Sequence, residues 1–258
     1  MPTIDHFSYG WLTPVVAYLM SFTGSLLGLR CMARAQSTSM RDGWMIAAAV
    51  AIGGTGVWVM HFIAMLGFSI EGASIRYNVP MTLISALIAM VVVWIGLGVA
   101  QRRNWGPGAL LIGGAITGVG VGTMHYCGMY AMKSDAALDY NGWIVLVSIV
   151  IAVIAATAAL WFALHVRGTL ATVGAAVVMG IAVSGMHYTG MFAMRVQHAA
   201  HMHQPSGAGA GQLLTPLTVG VSMVTVVLLL HLAMTEAGGS EARPVRSRRP
   251  ARYWPTQD

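Results

Sequence analysis

Apolar residues run through this chain in seven blocks separated by short polar breaks, near residues 12–33, 44–67, 80–100, 107–131, 142–165, 169–194 and 212–234. Each meets the length of about 20 residues that an α-helix needs to cross the hydrocarbon core of a bilayer. The pattern predicts an all-α integral membrane protein with seven transmembrane helices. Composition agrees: 57% of residues are hydrophobic and 9% charged, against about 25% charged in a soluble domain.

Charge then orients the helices, because cytoplasmic loops carry the excess of Lys and Arg. One set of loops holds Arg30, Arg34, Arg41, Arg102, Arg103 and Arg167, and the C-terminal tail adds Arg243, Arg246, Arg248, Arg249 and Arg252. The other set holds Arg76, Lys133 and Arg195. The N-terminus is therefore expected outside and the C-terminus in the cytoplasm, which makes the net charge of +6 topology information and no sign of nucleic-acid binding. The first eleven residues carry no Lys or Arg, so a cleavable signal peptide is not expected. Residues 235–258 are Arg-rich and read as a disordered cytoplasmic tail. Cys31 and Cys127 fall near opposite ends of their helices, too far apart for a disulfide.

Within the helices one phrase is written three times: Met60-His61-Phe62-Ile63-Ala64-Met65, Met124-His125-Tyr126-Cys127-Gly128-Met129 and Met186-His187-Tyr188-Thr189-Gly190-Met191. The histidines are 64 and 62 residues apart, which marks an internal repeat. The unit is a helix pair, giving repeats near 12–67, 80–131 and 142–194 with the seventh helix left over. Each even-numbered helix starts behind Arg41, Arg103 or Arg167 and reaches its histidine 20 to 22 residues later. At 1.5 Å per residue this is roughly 30 Å, so all three histidines are expected at one depth beneath the outer surface. Helices running the same way make the repeats parallel about an axis along the membrane normal.

Relative to each histidine, a glycine stands at −7 (Gly54, Gly118, Gly180), a small residue at +3 (Ala64, Gly128, Gly190) and a methionine at +4 (Met65, Met129, Met191). These offsets share one helical face and predict close packing around a central site. Imidazole and thioether are both metal ligands, thioether a soft one suited to copper(I). The predicted metal residues are His61, His125, His187, Met65, Met129 and Met191, with Met60, Met124 and Met186 about 100° round the helix in a packing or supporting place. The alternative is structural: histidines that bridge helices by hydrogen bonds, and methionines that fill space. Met132 and Met194, Cys127, and the shielding Tyr126, Tyr188 and Phe62 are further candidates. His198, His201 and His203 form a surface tract that could collect metal or be an ordinary solvated loop. His165 and His231 fall at inner helix ends, where they would serve the interface or cap carbonyls.

All eight acidic residues, Asp5, Asp42, Glu71, Asp135, Asp139, Glu236, Glu241 and Asp258, are expected in loops or tails, which weighs against proton-coupled transport. No phosphate-binding glycine loop or nucleophile elbow occurs in a fitting context. No enzymatic activity is predicted.

At the tetrad Met186-His187-Tyr188-Thr189 the chain resembles the MHYT family of bacterial membrane sensor domains. The second copy has Cys127 in the Thr place and the first has Phe62 and Ile63. The resemblance spans about residues 5 to 234. It implies seven helices in the bacterial inner membrane, copper bound by the motif Met and His residues near the outer face, and sensing of oxygen, carbon monoxide or nitric oxide. Many members carry cyclic-di-GMP enzymes after the last helix; this chain has 24 residues there, so a separate cytoplasmic or membrane signalling partner is expected. The competing functions are copper handling (storage, uptake or delivery to a membrane oxidase) and a haem protein using two histidines as axial ligands.

Overall fold

The computed structural model describes residues 4–102, 106–197 and 206–241. Arg103, the His198, His201 and His203 tract, and the chain after residue 241 lie outside the described residues. Seven helices are long and apolar enough to span a bilayer: α1 (Leu12–Ala35), α2 (Arg41–Leu66), α3 (Val79–Ala100), α4 (Pro107–Ala131), α5 (Gly142–His165), α6 (Thr169–Phe192) and α7 (Ala210–Glu241). The chain is a multi-pass membrane protein. Its helices start where the sequence offers a start. Asn78 and Asn141 each accept a hydrogen bond from a first-turn backbone N–H, Met81 and Trp143 respectively, satisfying a donor that the helix leaves unpaired. Proline stands in the first turn of α3 and α4, where its missing N–H costs nothing.

Two boundaries differ from expectation. α7 continues to Glu241, beyond residue 234, and so includes Glu236. Asp42 lies in the first turn of α2, where a carboxylate suits the positive end of the helix dipole. Among the described residues no carboxylate sits in the middle of a span.

From α1 to α6 each helix packs on the next, and α6 returns to α1, so these six close into a ring; α7 lies outside it against α1 and α2. Small residues bring the backbones together. A methyl group on Gly24 would lie 2.2 Å from the amide nitrogen of Gly56, and one on Gly113 would lie 2.8 Å from the carbonyl oxygen of Gly96. Apolar burial drives nothing between helices in lipid, so such close backbone contact is what associates them. Outward faces are apolar, with Leu83, Trp94, Leu111, Trp143 and Ile154 exposed, as lipid contact requires. Cys31 and Cys127 are both free.

α2 is not a uniform helix. Between α-helical Arg41–Ala49 and Met60–Leu66, the stretch Val50–Val59 is π-helical. Gly53, Gly54 and Gly56 fall within it, and wide turns of this kind recur at functional sites. His61 follows two residues after it.

The helix ends nearest the motif histidines carry an element that periodicity alone does not predict: six short strands. β1 (Ile4–Asp5) pairs with β2 (Ser69–Ile70), β3 (Ile75–Tyr77) with β4 (Met132–Ser134), and β5 (Ala137–Tyr140) with β6 (Met194–Gln197), all antiparallel. In every pair the chain entering an odd-numbered helix meets the chain leaving the next even-numbered one. One further backbone bond recurs beside each pair: Ser8 donates to Gly67 at 2.9 Å, Asn78 to Ala131 at 2.8 Å and Asn141 to Ala193 at 2.8 Å. Each accepting carbonyl lies six residues after a motif histidine. These bonds satisfy carbonyls that helix ends leave open and hold the three histidine-bearing segments under one cap.

Candidate metal centre

α2, α4 and α6 each direct one motif histidine into the middle of the ring. His61, His125 and His187 are each 1% exposed. His61 Nδ1 lies 3.0 Å from His187 Nδ1 and 3.1 Å from His125 Nδ1, and one ligand nitrogen from each residue lies within 4.8 Å of the others. The rings meet edge to face, with centroids 4.8 to 5.1 Å apart. On the far edge of each ring, Nε2 is buried without a hydrogen-bond partner. Buried ring nitrogens normally find partners, so three orphaned ones in a single cluster is unusual for histidines that serve only as helix bridges.

The residues around the triad sort by height. Met65, Met129 and Met191 join Met132 and Met194 in one buried cluster with Phe62, Phe68, Ile70 and Tyr77, on the strand side of the triad. The methionines preceding the histidines part company: Met124 and Met186 belong to the large core between the helices, and Met60 packs with Ala17 and Ala64. The +3 glycines face histidines of neighbouring helices, since a methyl group on Gly128 would lie 2.3 Å from His61 Nε2 and one on Gly190 2.3 Å from His125 Nε2.

The −7 glycines do not face the centre as the shared helical face predicts. The nearest atoms to an added methyl belong to Met90 of α3 for Gly54, Val153 of α5 for Gly118 and Tyr18 of α1 for Gly180. Seven residues is about 10.5 Å along a helix axis, and at that depth the same face meets a different neighbour. These glycines seat the ring.

Tyr126 pairs through its hydroxyl with Ser148 of α5 at 2.6 Å, and its ring meets His125 edge-on; Tyr188 meets His187 likewise. Cys127 is half-buried. His165 bonds the Trp161 carbonyl and His231 stacks on Trp44, both away from the triad.

Two participants are missing from the sequence reading. His6, just after β1, packs between the rings of Phe68 and Phe192 at centroid distances of 5.6 and 5.0 Å and is close enough to interact electrostatically with His187. Burial holds its imidazole below the ordinary value of 6.5, against an opposing pull from the Asp5 carboxylate. Tyr77 donates its hydroxyl to the Met65 carbonyl at 3.4 Å, and burial raises its phenol well above the ordinary range. The signal available for Tyr77 was position, since Phe7-Ser8, Tyr77-Asn78 and Tyr140-Asn141 occupy corresponding places before α1, α3 and α5; His6, with Arg76 and Asp139 as its counterparts, carried none.

Three imidazoles converging in a dry interior could hold a metal ion. Nitrogens each about 2.0 Å from one ion stand roughly 3.3–3.5 Å apart, so the shortest Nδ1 separations need to open by only a few tenths of an ångström. As they stand, the rings leave no slot for a porphyrin plane between them.

Comparison with known proteins places this geometry in a family. The profile of the MHYT family, described as a bacterial signalling protein N-terminal repeat, matches residues 54–113 and 118–176. Each match opens seven residues before a motif histidine, so the profile runs from one histidine segment into the next even-numbered helix. The bifunctional diguanylate cyclase/cyclic di-GMP phosphodiesterase MucR of Pseudomonas aeruginosa is 37% identical over 185 residues, covering 69% of this chain and 26% of that protein. The cyclic di-GMP phosphodiesterase NbdA of the same organism is 33% identical over 157 residues, covering 58% of this chain and 20% of NbdA. The signaling protein YkoW of Bacillus subtilis is 31% identical over 198 residues, covering 73% of this chain and 24% of YkoW. The chain thus spans about a quarter or less of these relatives. No solved structure matches it. With two of its three histidine segments inside the matched profile and with relatives among signalling proteins of two bacteria, the chain belongs to the MHYT family.

Proposed function

We propose that this chain is a sensory membrane module whose centre is one copper ion held by His61, His125 and His187. The observation that carries the proposal is the convergence of three buried imidazoles, one from each motif helix. Charge favours a monovalent ion. Among the described residues no carboxylate sits mid-span to balance the site, and the Born cost of burying an ion rises with the square of its charge, about four times higher for +2 than for +1. The thioethers of Met65, Met129 and Met191, gathered on the outer side, suit copper(I) as a fourth donor or as polarisable surroundings; Met60, Met124 and Met186 support the motif helices from behind.

A reduced metal with an open position is what a diatomic gas requires, and oxygen, carbon monoxide and nitric oxide all dissolve in the lipid around the ring. The strand cap faces outward and the arginine-bearing loops face the cytoplasm of a bacterial inner membrane. A gas-dependent shift of the motif helices would be passed to a cytoplasmic or membrane signalling protein. The cyclic di-GMP activities named for MucR and NbdA suggest its class. The chain itself performs no catalysis and engages no nucleic acid.

The test is elemental analysis of detergent-purified protein after copper has been offered, beside the His61→Ala/His125→Ala/His187→Ala variant. About one copper per chain in the wild type and almost none in the variant is expected. Equal metal in both would sink the assignment.

A further inference from the structure

Each motif imidazole has two edges in different surroundings. The Nδ1 edges face one another, His61 standing 3.0 Å from His187 and 3.1 Å from His125. The Nε2 edges point away and are buried without partners. Two of them abut the next motif helix at its +3 glycine: a methyl group on Gly128 or on Gly190 would stand 2.3 Å from Nε2 of His61 or His125. The contacts run one way round the ring, α2 onto α4 and α4 onto α6. The corresponding position on α2 is Ala64.

We infer that Gly128 and Gly190 are positioning residues that select Nδ1 as the metal-facing nitrogen of the triad, an inference that rests on the triad being a metal site. The argument is one of reach. Nδ1 is bonded to the ring carbon that carries the side chain, whereas Nε2 sits at the far end of the ring. Ligation through Nδ1 therefore draws the helices close to the ion and sends the rest of each ring past the centre, into the next helix. For His61 and His125 only a residue without a side chain leaves room there. Ligation through Nε2 would set the helices further back and empty the space beside the glycines. Steric contact this tight also makes each histidine a wedge: a ring that moves when a ligand binds must move the neighbouring motif helix, because packed interiors give little.

The same glycines explain two of the three orphaned Nε2 atoms, those of His61 and His125. With Nδ1 turned to the ion, Nε2 keeps its hydrogen and faces a helix whose amides and carbonyls are already paired. Second-sphere groups of this kind typically change metal affinity by about 10- to 100-fold.

The experiment uses the full chain in detergent, loaded with copper(I) under reducing conditions and labelled with 15N-histidine. Wild type is compared with Gly128→Ala/Gly190→Ala and with a control, Gly122→Ala/Gly185→Ala. The control adds methyls to the same two helices where they meet Ile149 at 3.4 Å or nothing within 4 Å. Long-range 15N–1H correlation spectra identify the ligated ring nitrogen, and chelator competition gives the affinity. Wild type and control should show Nδ1 ligation at equal affinity, and the Gly128/Gly190 variant a loss of at least about tenfold or a switch to Nε2. Copper(I) bound through Nε2 in the wild type overturns the inference while leaving the metal site standing, and this reading does not depend on the variant folding. A Gly128/Gly190 variant with wild-type affinity and Nδ1 ligation overturns it as well. No copper(I) in well-folded wild type removes both the inference and the metal site.

Discussion

A histidine inside a membrane has few ways to be satisfied, and the neighbours of His125 show how this chain manages it. Its ring is held edge-on by Tyr126, whose hydroxyl is pinned by Ser148 of α5. Ser148 in turn donates to the Val145 carbonyl, a local bond that survives without the tyrosine. Tyr126→Phe should therefore cost only one interhelical hydrogen bond, about 1 kcal/mol, seen as a modest drop in thermal midpoint with copper content unchanged. A larger loss, or loss of metal, would mean that the phenol does more than brace the ring. The corresponding position in the first copy is already Phe62, which stacks on Trp58 and belongs to the outer methionine cluster. The tyrosine hydroxyl is therefore a local fitting that one of the three copies lacks.

At the level of elements, the strand cap depends on a short N-terminal segment. His6 packs there against Phe68 and Phe192 while Ser8 bonds Gly67. Because burial holds the His6 imidazole below 6.5, the docked segment disfavours a proton that the released segment takes readily. The sign follows: docking is at full strength above about pH 6.5 and weakens as pH falls through that value. Amide exchange at Phe7 and Ser8, corrected for intrinsic rates, should therefore quicken between about pH 7 and pH 5, and His6→Phe should abolish the change. An unchanged wild-type profile would contradict the half-buried placement of His6. Hydropathy could not have shown this segment. The helices were legible because twenty apolar residues in a row have one reading, and the histidine triad because a phrase written three times fixes depth and phase together. The strands run only two to four residues, too short for alternation to show. The π-helical stretch of α2 contains the same glycines and valines as an ordinary packed helix. The −7 glycines share the predicted face, but which neighbour a face meets at a given depth depends on ring order, which no single helix encodes.

For the molecule as a whole, the closed ring of α1 to α6 divides the chain into a site-bearing body and one peripheral helix. α7 touches α1 and α2 from outside and supplies no residue to the triad. A chain ending after Gln197 should still insert and bind copper at wild-type stoichiometry, as elemental analysis of the purified fragment would show. Loss of metal on removing α7 would mean that the ring needs it to close. Since α7 meets the ring along the π-helical part of α2, it is well placed to register movement of His61.

The burial of the triad also separates what can reach it from what cannot. A neutral diatomic molecule dissolves in lipid and can pass between apolar helices; a hydrated ion can do neither, and finds the outer approach covered by paired strands and packed methionines. Metal held there would behave less like a ligand in equilibrium with its surroundings than like a fitted part, installed as the ring closes and kept for the life of the fold, while a gas ligand of the proposed kind would come and go.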